Sequence, residues 1–213
     1  MGEPYYRRAT EEQAAIIGPL MAQAEKNIVG ILLAAGTGSR FGGDKLLHPL
    51  PDGIAIAAHA ARTLIAAGLP VTAVVRPGDF PLADMLEQEG CAVTVCAGAA
   101  RGMGASLAHA IASERGADGW VVALADMPGI APDTIRAVAA ATTQGALIAA
   151  PCYGNQRGHP VAFNAALGSE LAALDGDQGA RAVLDRHRDA LRLIDCEDPG
   201  VLYDIDRKSD VKP

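Results

Sequence analysis

The chain has 213 residues, enough for one domain with a substantial core. Half are hydrophobic and only 4% aromatic, so Ala, Val, Leu and Ile must pack that core. With 18 Lys and Arg against 25 Asp and Glu, the formal charge of −7 argues against nucleic acid or a membrane surface as partner, and any anionic ligand needs a local cationic site.

Residues 10–25 begin like a helix, with Thr10 as N-cap and Glu11 and Glu12 in the first turn, although Gly18 and Pro19 should break it. We read residues 1–27 as an N-terminal extension and 28–213 as the domain. The first strong strand, IVGILLAA, is continuously apolar, as a strand covered on both faces should be. Further strands are expected at 71–75 (VTAVV), 92–96 (AVTVC), 120–125 (WVVALA) and 146–150 (ALIAA), each bounded by Gly, Pro or Asp. Segments of helical composition alternate with them: IAIAAHAARTLIAAG, LADMLEQEG, ASLAHAIASERG and PDTIRAVAAATTQG, which end in glycine as helix C-termini favour. Beyond Pro151 the pattern loosens into CYGNQRGHPVAF, two helices around LDGDQGAR and a final extended RLIDCEDPGVLYDID. The alternation implies an α/β fold with a mostly parallel sheet covered by helices on both faces.

Cys91, Cys96, Cys152 and Cys196 form no C-x-x-C pair and no zinc-spaced cluster with histidine, so neither a disulfide framework nor structural zinc is expected. The longest apolar run near the N-terminus falls far short of the ~20 residues of a membrane helix. The mixed segment after Arg7, Arg8, Glu11 and Glu12 does not read as a signal peptide, and a cytoplasmic location is expected.

Ligands of open parallel sheets bind at the carboxyl ends of the strands. The richest segment there is LLAAGTGSRFGGDK, where glycines 36, 38, 42 and 43 can present backbone N–H groups to an oxyanion. Arg40 and Lys45 add two positive charges, each worth roughly 4 kcal/mol to a phosphate about 4 Å away at an effective dielectric of 20, before desolvation. A dinucleotide fingerprint G-x-G-x-x-G would need glycine where Phe41 stands, and a Walker loop would need Gly-Lys-Ser/Thr where the chain has Asp44-Lys45-Leu46. A plain flexible turn accounts for one or two glycines but not for glycines and cations together.

LLAAGTGSRFGGDKL resembles the signature of the MobA-like nucleotidyltransferases, Leu-Ala-Ala-Gly-x-G-x-R-x-G-x-x-K. GMGASL, LADMP, RGHPVAF, GDQGAR and the terminal DID resemble, in the same order, the motifs of the branch that includes molybdenum cofactor cytidylyltransferase. The resemblance spans nearly all of residues 28–206. It implies a single-domain, Rossmann-like three-layer α/β/α fold of the nucleotide-diphospho-sugar transferase type. It also implies transfer of a nucleoside monophosphate to a phosphorylated acceptor, with release of pyrophosphate and a requirement for Mg²⁺.

Carried over motif by motif, Leu33, Ala34, Ala35, Gly36 and Gly38 would bind base and phosphates, and Arg40 and Lys45 would stabilise the triphosphate and its leaving group. Gly102, Met103, Gly104 and Ser106 would lie beside the nucleoside, although Ser106 suits a helix N-terminus equally well. Asp126, directly after an apolar strand, would be catalytic and a Mg²⁺ ligand, with Asp206 preferred to Asp204 as its partner. RKSD stands where the family has a Thr-Pro-Glu-Asp-like helix start, which leaves that register less fixed. Arg157 and Arg181 would meet the acceptor phosphate, and His159 or Asp177 would hydrogen-bond a pterin, although a loop His and a helix cap explain the latter two as well.

Ala35, where the guanylyl branch carries glycine, favours CTP over GTP. The expected substrates are therefore CTP and molybdopterin, with a molybdenum hydroxylase as client. Alternatives are a guanylyl-, uridylyl- or sugar-phosphate nucleotidyltransferase, a non-catalytic molybdenum cofactor chaperone, and an NAD(P)-dependent oxidoreductase, against which Phe41 argues.

Overall fold

A computed structural model describes residues 26–38 and 40–211, so the expected helix at 10–25 lies outside the described residues. β1 (Ile28–Leu33), β2 (Val71–Val75), β3 (Ala92–Val95) and β4 (Gly119–Leu124) pair in parallel in the order β3-β2-β1-β4. Between them run α1 (Ile56–Ala66), α2 (Phe80–Gln88) and α3 (Met103–Ser113), and after β4 comes α4 (Pro132–Thr143). The strand and helix alternation read from hydropathy is therefore the observed one through residue 143.

The sheet continues through β5 (Ile148–Tyr153), β6 (Gln156–Arg157), β7 (Val161–Asn164) and β8 (Leu191–Asp195). β7 is antiparallel to both β4 and β5, and β8 closes the sheet parallel to β5. Ile148 pairs with both Phe163 and Leu191, and Cys152 with both Arg157 and Asp195, so β6 and β7 share one side of β5 and β8 takes the other. The segment that looked loose in sequence is a hairpin. Gly154 and Asn155 both have positive φ, +54° and +63°, the geometry that lets a two-residue turn match strand twist.

Alternate strand residues feed two cores. Leu32, Val121 and Ala123 face α1, α2 and α4, whereas Val29, Ile31, Trp120 and Val122 face α3 and the short helices α5 (Gly168–Ala172) and α6 (Arg181–Arg186). The three-layer α/β/α fold follows, with the loops after β1 and β4 emerging side by side because those strands are neighbours. The final stretch expected as extended chain is a strand only over β8, then a 3₁₀ turn at Pro199–Leu202 and irregular backbone that returns to the carboxyl end of β4, where Ile205 N–H meets the Asp126 carbonyl.

Candidate active site

The glycine loop leaves the sheet between β2 and β4: Ala34 N–H donates to the Val74 carbonyl at 2.9 Å, and the Leu33 carbonyl accepts from Ala125 N–H at 3.1 Å. Gly38 has φ +59°, and a Cβ there would stand 3.1 Å from Cβ of Lys45, so glycine permits the loop to fold back onto the lysine. Phe41, whose position argues against a dinucleotide fingerprint, anchors the loop. It is buried with Ile56 and Ile205 and stands edge-on to His48.

Lys45 is only 8% exposed, and its Nζ donates to Asp126 Oδ2 at 2.8 Å and lies 3.5 Å from Asp206 Oδ1. A buried ammonium must be paired, and two carboxylates meet that need. They are brought together from far apart in sequence because Ile205 N–H donates to the Asp126 carbonyl at 2.9 Å, which sets Asp204 and Asp206 on either side of that bond. Asp206 is held in turn by Asp210, whose Oδ2 accepts from the N–H groups of Asp206 at 3.0 Å and Arg207 at 2.7 Å. The Arg207 N–H, first among these contacts, keeps the Asp210 carboxyl below its ordinary value. RKSD thus ends on an aspartate that caps the turn it closes.

Asp126, Asp204 and Asp206 each offer an oxygen within 4.8 Å of the others. Hard carboxylate oxygens suit Mg²⁺ or Mn²⁺, so the donor set fits a divalent cation. Asp204 is thus part of the cluster alongside Asp206, which the sequence reading preferred. Arg40, largely exposed, pairs with Asp206.

A cavity of about 410 Å³ opens beside this cluster. Leu33, Ala35, Gly36, Gly38 and Lys45 bound it on the loop side, and Gly102, Met103 and Ser106 across from them. Ala34 is outside the lining of this cavity and is buried in the core. The Ser106 hydroxyl donates weakly to the Gly102 carbonyl one turn back, at 3.5 Å, while facing the cavity. Gly102 (φ +121°) has no room for a side chain, since a Cβ would lie 2.1 Å from Asp177 Oδ1 and 2.6 Å from the Gly176 carbonyl carbon. Gly104 contributes through its backbone, donating to the Gly176 carbonyl at 2.7 Å, so both glycines seat the 175–177 loop. Asp177 lines this first cavity, in a loop whose close approach the absence of a Gly102 side chain permits.

A second cavity, about 470 Å³, adjoins the first across Leu33, Met103 and Leu124. Arg157, His159 and Arg181 line it above an apolar floor that includes Val161 and Phe163. His159 presents a buried, unpartnered Nδ1, and burial pushes its pKa down to about 4, with Arg157 adding to the shift and Asp126 opposing it. Arg188 also lines this cavity, and sequence reasoning missed it. No local pattern pointed to it, because Arg188 begins a separate 3₁₀ turn after α6 has ended at Arg186. Thr37 in the first cavity was likewise passed over, being a variable position of the motif.

The MobA-like NTP transferase domain matches residues 30–191. The chain belongs to the MobA-like NTP transferase family. Within the family it is 30% identical over 189 residues to the nicotine blue oxidoreductase of Paenarthrobacter nicotinovorans, covering 84% of this chain and 92% of that protein. It is 28% identical over 190 residues to the purine catabolism protein PucB of Bacillus subtilis (strain 168), covering 84% and 91%. Among solved structures, Rv0371c of Mycobacterium tuberculosis H37Rv superposes with a TM-score of 0.76 at 29% identity, covering 87% of this chain and 95% of that one. Rv0371c has also been crystallised with manganese, in a form that matches with a TM-score of 0.71 at 27% identity, covering 86% and 95%.

This MobA-like chain is a nucleotidyltransferase of α/β architecture. Of its two adjoining cavities, the first has Lys45 in its wall and the second has Arg157, Arg181 and Arg188, while Arg40 stands outside the first, paired with Asp206. Such an arrangement suits phosphoryl chemistry, which asks chiefly for positioning and charge neutralisation. Among the described residues no helix is long and apolar enough to cross a membrane.

Proposed function

We propose that the chain transfers CMP from CTP to molybdopterin and releases pyrophosphate, with Mg²⁺ as the working cation. The observation that carries this reading is the pair of cavities sharing the Leu33, Met103 and Leu124 wall, with a carboxylate cluster at the first and arginines at the second. An oxygen of the acceptor phosphate attacks the α-phosphorus, the bond to the bridging oxygen breaks, and pyrophosphate leaves with that electron pair. Lys45 and Arg40 neutralise charge on the triphosphate and leaving group, while Arg157 and Arg181 orient the acceptor phosphate across the wall. His159, neutral in its buried site, offers its ring to the pterin without adding charge. Asp126, Asp204 and Asp206 would hold the divalent cation, which supplies further neutralisation of phosphate oxygens when bound.

Ala35 in the wall of the first cavity supports CTP, since its methyl group leaves less room for a purine than glycine would. The name of the Paenarthrobacter relative favours a second reading in which the same glycine loop holds a reduced nicotinamide dinucleotide. One experiment separates the two: thermal unfolding with CTP, GTP, UTP and NADPH, each with and without Mg²⁺. A ligand at 100 times its Kd stabilises the fold by about 2.7 kcal/mol. An Mg²⁺-dependent shift largest for CTP, followed by pyrophosphate release on adding molybdopterin, is the expected result. A shift with NADPH alone would replace it with the second reading.

A further inference from the structure

Lys45 occupies the space between two of the three carboxylates that would hold the cation. Its ammonium is 2.8 Å from Asp126 and 3.5 Å from Asp206, and its side chain is only 9% exposed. The same side chain bounds the cavity assigned above to the nucleotide. Its backbone is held at the loop, Lys45 N–H donating to the Gly43 carbonyl at 2.8 Å, so the ammonium, not the chain, is what can exchange partners.

We propose that Lys45 is a resident counter-cation of the Asp126 and Asp206 pair, which a divalent cation must displace and which a triphosphate draws away. This rests on the cation and nucleotide assignments made under the proposed function. Without nucleotide, the buried ammonium is paired by the two partly exposed carboxylates and resists a second positive charge among them. A triphosphate in the first cavity gives Lys45 an alternative anion, and the vacated oxygens then accept the divalent ion. Cation and nucleotide therefore strengthen each other's binding through Lys45, in addition to their direct contact, and by linkage the effect is reciprocal. Arg40 contributes less, because its side chain is 73% exposed and its pairing with Asp206 is screened by water.

The test is Mn²⁺ titration of the full chain without nucleotide, reading free Mn²⁺ by electron paramagnetic resonance, so that chelation by nucleotide does not intrude. Lys45→Met, and Lys45→Gln as a second neutral variant that can still hydrogen-bond Asp126, are compared with the unaltered protein. Both variants are expected to bind Mn²⁺ about tenfold more tightly. Arg40→Gln is expected to change the affinity by less than either. Equal or weaker binding by the two Lys45 variants would overturn the counter-cation role while leaving the cation site standing. Absence of Mn²⁺ binding in every protein would overturn both this role and the cation assignment, but not nucleotide binding, which the thermal-shift panel reads independently.

Discussion

His159 provides a sharp quantitative test of the second cavity. The unfolded ring titrates near its ordinary value of 6.5, whereas burial lowers the folded ring to about 4. Above pH 6.5 the ring is neutral in both states and its burial carries no protonation penalty. As pH falls below that value the unfolded state takes up a proton first, so native stability is lost progressively toward pH 4 and the loss is then complete. At pH 5 the unfolded ring is almost wholly charged and the folded ring about nine-tenths neutral, which amounts to about 2 kcal/mol relative to pH 7. Acidic groups also titrate in this range, so the quantity to measure is a difference. Urea unfolding of the unaltered protein and of His159→Gln at pH 7 and pH 5 should show the unaltered protein losing about 2 kcal/mol more than the variant. Parallel losses in the two proteins would mean that the folded ring reaches solvent or finds a proton acceptor, and the account of a neutral, buried histidine facing the acceptor would fall with it.

The remaining predictions concern the first cavity and its supports. Asp126→Asn leaves Lys45 with Asp206 alone at 3.5 Å, and denaturant unfolding should show a loss of about 1–3 kcal/mol together with abolished nucleotidyl transfer; unchanged stability would argue that Lys45 is solvated. Gly102→Ala sets a Cβ against Asp177 and Gly176 at a φ of +121°, so a destabilisation of about 2 kcal/mol or more and loss of the CTP-induced thermal shift are expected. Phe41→Ala removes the buried ring that joins the glycine loop to Ile205; unfolding should record a loss of about 3 kcal/mol, and calorimetry a weaker affinity for CTP. Ala35→Gly should move the CTP-to-GTP preference toward GTP by about 1 kcal/mol in competition binding, and an unmoved ratio would refute the steric account of base choice.

Much of the architecture was legible because its signals are local. Continuous apolar strands such as IVGILL and WVVAL, alternating with alanine-rich helices, dictate a parallel sheet covered on both faces, whatever the rest of the chain does. The same order places the glycine loop and Asp126 at one sheet edge, since each directly follows a strand and β1 and β4 pair. The hairpin at Gly154 and Asn155 was less legible, because its second strand, β6, has only two residues and produces no period.

What the tertiary structure alone decided is convergence. Sequence could nominate Lys45, Asp126, Asp204 and Asp206, but their proximity depends on the Ile205 to Asp126 backbone bond and on Phe41 packing against Ile205, contacts that no local pattern encodes. The placement of Asp177 was likewise set by two glycines more than seventy residues away, which leave space that its loop enters. Periodicity reports how each segment meets the core; only the packed chain determines which loop ends share a cavity, because that depends on long-range contacts made by residues outside every motif.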